Sequence, residues 1–80
     1  MYHAYILKSL GDGRFYKGST ADLETRLKYH NAGKVRSTKA HRPWVIHYYE
    51  SFETRTEALQ REHFFKSYQG YLWLKAEGII

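Results

Sequence analysis

The 80-residue sequence contains no cysteine, which excludes both a disulfide framework and a thiolate metal site. Its histidines, His3, His30, His41, His47 and His63, show neither HxxxH nor HExxH spacing, so a zinc site is not expected. Ser9, Ser19, Ser37, Ser51 and Ser67 lack the context of a nucleophile elbow, and Gly11, Gly13 and Gly18 do not form a phosphate-binding loop. The N-terminus has no basic segment, apolar run and small-residue cleavage site of the secretory kind. No apolar stretch approaches the roughly 20 residues that span a bilayer, so a cytoplasmic protein with no membrane partner is expected. Repeats, low-complexity tracts and linkers are absent, and the length leaves room for a single domain over residues 1–80.

What is present is apolar, aromatic and basic. Hydrophobic residues make up 42% of the chain and aromatic residues 18%, with eight Tyr and four Phe. A core this small is marginal, so nearly every buried position must be apolar. Most of the tyrosines are expected in the core and its rim, their hydroxyls left for solvent, phosphate or a proton relay. Thirteen Lys and Arg against eight acids give a formal charge of +5, a balance that favours a polyanionic partner, nucleic acid before a membrane surface.

Tyr2 to Ser9 and Arg14 to Gly18 are extended runs joined by Gly11-Asp12-Gly13, which reads as a β-hairpin. Alternation places Tyr5 and Leu7 on one face, Ala4 and Ile6 on the other. Ser19-Thr20-Ala21-Asp22 starts a helix that runs to about His30 and closes at Asn31-Ala32-Gly33. Leu23, Leu27 and His30 share a face of it, with Arg26 at the edge. Lys34 to Arg42 is a basic loop ended by Pro43. Trp44 to Phe52 is a third strand, apolar on both faces and expected between other elements. Thr54-Arg55-Thr56-Glu57 fits a capping box for a second helix that runs to about Tyr68 and breaks at Gly70. Tyr71 to Ala76 adds a last turn or two. The order β-β-α-β-α-α predicts an α+β fold, a small three-stranded and partly antiparallel sheet flanked by helices.

A few polar residues sit where packing alone does not call for them. Ala58, Glu62 and Phe65 form one helical stripe with a carboxylate in its middle, and isolated buried carboxylates are costly. Glu62 either reaches solvent at the edge of the stripe, pairs with an arginine such as Arg26, or binds a divalent cation in a cleft. Spacing alone favours the first two. Arg26 and His30, one turn apart, are either a solvated helix edge or a phosphate clamp beside a water-holding imidazole. Tyr5 and Tyr16 are either a cross-strand aromatic pair or participants in proton transfer, which a tyrosine with a pKa of roughly 10 performs only beside a metal or cation.

Taken in order, these features resemble the GIY-YIG nuclease superfamily, in particular its small single-domain, excinuclease-C-subunit-like members. His3-Ala4-Tyr5 matches the first motif and Tyr16-Lys17-Gly18 the second. Asp22-Leu23-Glu24-Thr25-Arg26 with His30 looks like the helix-one signature, and Ala58-Leu59-Gln60-Arg61-Glu62 with Lys66-Ser67 like the helix-two signature. Trp73-Leu74 resembles the ending of the small members. The resemblance implies that Tyr5 orients or deprotonates a water, Tyr16 contacts the phosphate, Arg26 stabilises phosphoryl charge and His30 assists proton transfer. By the same resemblance Glu62 binds one Mg²⁺ or Mn²⁺, with substrate and water filling the other positions.

The departures are specific. His3-Ala4 replaces the Gly-Ile of the first motif, and Lys17 replaces an apolar residue of the second. The Asn that larger members carry after the metal-binding helix has no counterpart, although Gln69 is nearby. The resemblance thus implies a metal-dependent endonuclease on nucleic acid, DNA before RNA, with little sequence specificity. The alternative is a catalytically weak binding module of the same fold. Lys17, Lys34, Arg36, Lys39, Arg42 and Lys66 are the expected nucleic-acid contacts. The protein is expected to act as a monomer, a weak homodimer or a subunit of a larger assembly.

Overall fold

The computed structural model describes Met1–Ile80. Strand β1 (Tyr2–Ser9) is central in a sheet of order β2-β1-β3, flanked by β2 (Phe15–Thr20) and β3 (Trp44–Phe52). Both pairings are antiparallel, so the sheet is wholly rather than partly antiparallel. The reason lies in the connections: a short turn joins β1 to β2, and the chain from β2 to β3 returns on the other side of β1. Helices α1 (Leu23–Asn31), α2 (Arg55–Lys66) and α3 (Tyr68–Ala76) complete the expected order. A single 3-10 turn, Lys39–His41, interrupts the basic loop.

Alternation along β1 feeds two cores. Ala4 and Ile6 pack with Phe65 and Leu74 of the α2 and α3 layer, while Tyr5 and Leu7 pack with Trp44, Leu23 and Leu27 on the α1 side. Every residue from Ala4 to Leu7 is buried, because the central strand is covered on both faces. The first turn is organised by Ser9, whose Oγ donates to the His41 carbonyl at 2.7 Å and accepts from the amides of Gly11 and Asp12.

The expectation that β3 is buried on both faces is not met. It is an edge strand: Trp44 is buried, but Val45, His47, Tyr49 and Ser51 are exposed. A register shift explains why its pattern misleads. Leu7 pairs with Ile46 and Ile6 with Tyr48, so His47 is an extra residue bulged out of the ladder. Trp44 and Ile46 therefore join the α1-side core, whereas Tyr48 and Phe52 join the other. Beyond the bulge, Arg61 ties α2 to β3 through two bonds to Glu50, at 2.8 and 3.3 Å. Its guanidinium also lies 4.6 Å from the Phe64 and Trp73 ring centres.

Three helix boundaries also differ from expectation. The cap of α1 is Asp22, whose carboxylate accepts from the Thr25 amide at 3.1 Å; Ser19 and Thr20 belong to β2. The Thr54–Glu57 capping box of α2 is present as predicted. However, α2 stops at Lys66, not Tyr68, and Gly70 lies inside α3 rather than at a break. The break is at Ser67, whose extended backbone ends α2 while its hydroxyl accepts from the Gly70 amide to cap α3. Gly70 is there for room: a Cβ would lie 1.6 Å from the Phe64 carbonyl oxygen, so the α2–α3 corner closes only on a residue without one.

Candidate active site

Tyr5 projects from β1 toward α1 and is buried, 1% exposed. Its hydroxyl lies 3.0 Å from Nε2 of His30, itself fully buried. The opposite ring nitrogen, Nδ1, lies 2.8 Å from Thr38 Oγ1, and the Thr38 hydroxyl donates to the Val35 carbonyl at 3.2 Å. That last bond fixes the direction of the whole chain. Thr38 has committed its only proton, so it accepts from His30 Nδ1–H, and Nε2 is left as the acceptor for the Tyr5 O–H. Every member of the chain is satisfied.

The glycine of the second motif makes this arrangement possible. Tyr5 faces Gly18 across the β1–β2 pair, and a Cβ there would lie 2.5 Å from the Tyr5 hydroxyl and 2.6 Å from its ring. The phenol lies over bare backbone. Tyr16 pairs with Leu7, two residues along. Its ring centre is 4.9 Å from that of His30 and 6.4 Å from that of Tyr5, tilted in both cases. The two tyrosines are thus diagonal neighbours that share the imidazole between them.

Burial sets the charge states. It pushes the Tyr5 phenol up to about 12, against the opposing pull of the Arg26 guanidinium. It pushes His30 down to about 4, and the Arg26 charge adds to that. Both groups are therefore neutral at neutral pH. Arg26 has no carboxylate within salt-bridge distance. It lines an open cleft of about 390 Å³ together with Ser19, Asp22, Tyr29 and Arg55, a free cation facing solvent beside the buried phenol.

Glu62 reaches the same region from α2, where its charge acts on Tyr5. It does not pair with Arg26. Ser19 Oγ donates to Oε1 at 2.6 Å, and Lys66 Nζ donates to Oε2 at 2.7 Å. Burial opposes its charge, but Lys66 and Ser19 outweigh burial and hold the carboxyl below the usual range. No group of three or more His, Cys, Asp or Glu side chains that could hold a metal occurs in the molecule, so a cage made by protein alone has no place. A single hard cation on one carboxylate is a different demand. The Lys66 ammonium shows that the Glu62 oxygen already accommodates a cation there, with Ser19 steadying the other oxygen. Glu62 would hold one divalent ion there, with phosphate and water supplying the other ligands.

The predicted basic residues divide. Lys17, half-buried on β2, is pushed below the usual lysine range by burial and then by the Lys66 charge. Lys34 extends the site, its Nζ 5.7 Å from the Tyr29 ring centre, with Arg26 at the same distance from that ring. Arg36 and Lys39 are exposed on the loop. Arg42 is engaged by backbone, donating to the Lys39 carbonyl at 2.8 Å. Sequence reasoning did not single out Ser19, Thr38, Tyr29 or Arg55. Ser19 follows the second motif directly and Arg55 sits in the capping box, whereas Thr38 carried no signal because no periodicity governs a loop.

Residues 1–71 match the GIY-YIG catalytic domain. The chain is 44% identical over 68 residues to a UPF0213 protein of Bacillus pumilus, covering 84% of this chain and 68% of the relative. A UPF0213 protein of Haloquadratum walsbyi is 40% identical over 68 residues, covering 84% and 76%. The solution NMR structure of a UPF0213 protein from Bacillus halodurans superposes with a TM-score of 0.54 at 30% identity, covering 95% of this chain and 84% of the other. The paired tyrosines, the glycine beneath them and the helical arginine, histidine and glutamate are thus parts of one recognised domain: the chain belongs to the GIY-YIG catalytic domain family.

Proposed function

We propose that the protein is a divalent-metal-dependent endonuclease that hydrolyses phosphodiester bonds in DNA with little sequence specificity. The observation that carries this reading is the directed chain from Tyr5 through His30 and Thr38 to the Val35 carbonyl, set beside an uncompensated Arg26. Core packing does not require a buried polar relay beside an arginine that has no carboxylate partner.

The chemistry follows from the charge states. A phenol at about 12 cannot lose its proton outright at neutral pH; five units amount to about 7 kcal/mol. It can exchange protons instead. As the Tyr5 oxygen accepts a proton from a cleft water, its own proton passes along the existing bond to His30 Nε2. An approaching phosphate favours that transfer, because its negative charge offsets the Arg26 charge that now disfavours the imidazolium. Arg26 offers parallel N–H donors to the phosphoryl oxygens, and Tyr16 packs against the His30 ring that receives the proton. A divalent cation on Glu62 would neutralise charge that develops on the phosphoryl group and the leaving oxygen.

The test is cleavage of labelled single-stranded, duplex and branched DNA, with RNA counterparts, in Mg²⁺, Mn²⁺ or EDTA. Wild type is expected to cut in metal and not in EDTA. Tyr5→Phe, which removes only the hydroxyl, is expected to cut at least about 100-fold more slowly, and Glu62→Gln to lose metal-dependent cutting. Failure of wild type to cut any substrate, with salt-sensitive binding intact, would make the domain a nucleic-acid-binding module.

A further inference from the structure

Glu62 is not an open ligand. Its side chain is only 13% exposed, and one of its two oxygens is bonded to an ammonium that is itself 49% exposed. The partner, Lys66, lies one turn further along α2, so both residues project from the same rigid face. The bond at 2.7 Å therefore forms and breaks by rotation of one flexible side chain, with no movement of backbone. Ser19, on the neighbouring strand, donates to the other oxygen at 2.6 Å. A second ammonium lies near enough to be felt, since the Lys66 charge weighs on Lys17. The Glu62 carboxylate is thus already paired with one lysine cation, and a second lies within reach of that cation's charge.

A divalent ion entering here meets repulsion from Lys66 and competes with it for Oε2. We infer that Lys66 is a tethered cation that occupies the Glu62 carboxylate in the free protein and must be displaced before a divalent metal binds. The inference rests on the metal-dependent reading given above. It adds that the free protein holds metal weakly by construction, and that the weakness is set by one replaceable side chain. A nucleic-acid phosphate in the cleft provides an alternative partner for the ammonium, so substrate and metal enter together rather than in competition.

The test is Mn²⁺ binding without nucleic acid, followed by the loss of the free-ion signal in electron paramagnetic resonance. Lys66→Met keeps the apolar stem and removes the charge. It is expected to bind Mn²⁺ about fivefold to tenfold more tightly than wild type, while Lys66→Arg, which restores a cation, stays at the wild-type affinity. Glu62→Gln in the Lys66→Met background is expected to remove the gain, and thermal melting of each variant verifies that it is folded. Equal or weaker binding by Lys66→Met than by wild type overturns the tether and leaves the nuclease reading intact. Binding of Mn²⁺ by neither protein overturns both the tether and the assignment of metal to Glu62.

Discussion

His30 is the residue at which stability and chemistry meet. Its folded-state pKa is lowered from 6.5 to about 4, so between those values the unfolded chain binds a proton that the folded protein refuses. The contribution is complete above about pH 6.5 and is lost as pH falls toward 4, amounting to about 3 kcal/mol. Denaturant midpoints measured from pH 7.5 to 4.5 are expected to fall steeply over this window. His30→Gln is expected to flatten the dependence, and an unchanged slope in that variant would place the titration elsewhere. Gly18 makes a complementary prediction. A methyl group there displaces the Tyr5 hydroxyl, so Gly18→Ala is expected to lose cleavage by at least about 100-fold while remaining folded by circular dichroism. Wild-type cleavage in that variant would mean that the phenol does not need its present seat. At this scale the sequence was only partly legible. Tyr5 and His30 stood out as candidates, but the direction of the proton between them depends on Thr38, a loop residue eight positions beyond His30 that only the folded chain brings back to it.

The elements repay closer inspection where local rules conflict. The two faces of β1 could be read from alternation because a central strand obeys period two along its whole length. The same rule failed on β3, since the extra residue at His47 exchanges the two faces halfway along. A different rule failed at the α2–α3 corner, where glycine reads as a helix breaker but serves as a point of contact. Gly70→Ala tests this directly. In an ordinary helix the change is favourable by about 1 kcal/mol; here the Phe64 carbonyl blocks it, and a destabilisation of about 2 to 3 kcal/mol is expected from urea melts. A stabilised variant would show that the corner opens freely. Capping was the most legible feature of all: Thr54–Glu57 satisfies its own amides locally, and a local bond needs no tertiary partner to be predicted.

Over the whole molecule, the +5 charge is distributed rather than pooled. Arg26, Arg55 and Lys34 border the cleft, Lys66 pairs with Glu62, Lys17 lies on β2, and Arg36 and Lys39 extend along the loop. Replacing Lys34, Arg36 and Lys39 together with Gln is expected to weaken nucleic-acid binding and to reduce the slope of log affinity against log salt by about 2 to 3. An unchanged slope would remove the loop from the docking surface. No helix is long and apolar enough to cross a membrane. The architecture, α+β in the expected order, was legible because each element carries its own pattern. The wholly antiparallel pairing was not, because strand direction depends on the path of the connections.

The groups of the relay and its surroundings come from β1, β2, α1, the basic loop and α2, and Tyr5 hangs from the innermost strand. No large part of the chain can therefore melt and leave the relay working. Loss of function on heating should coincide with the cooperative transition, so turnover itself becomes a reporter of how much of the population is native.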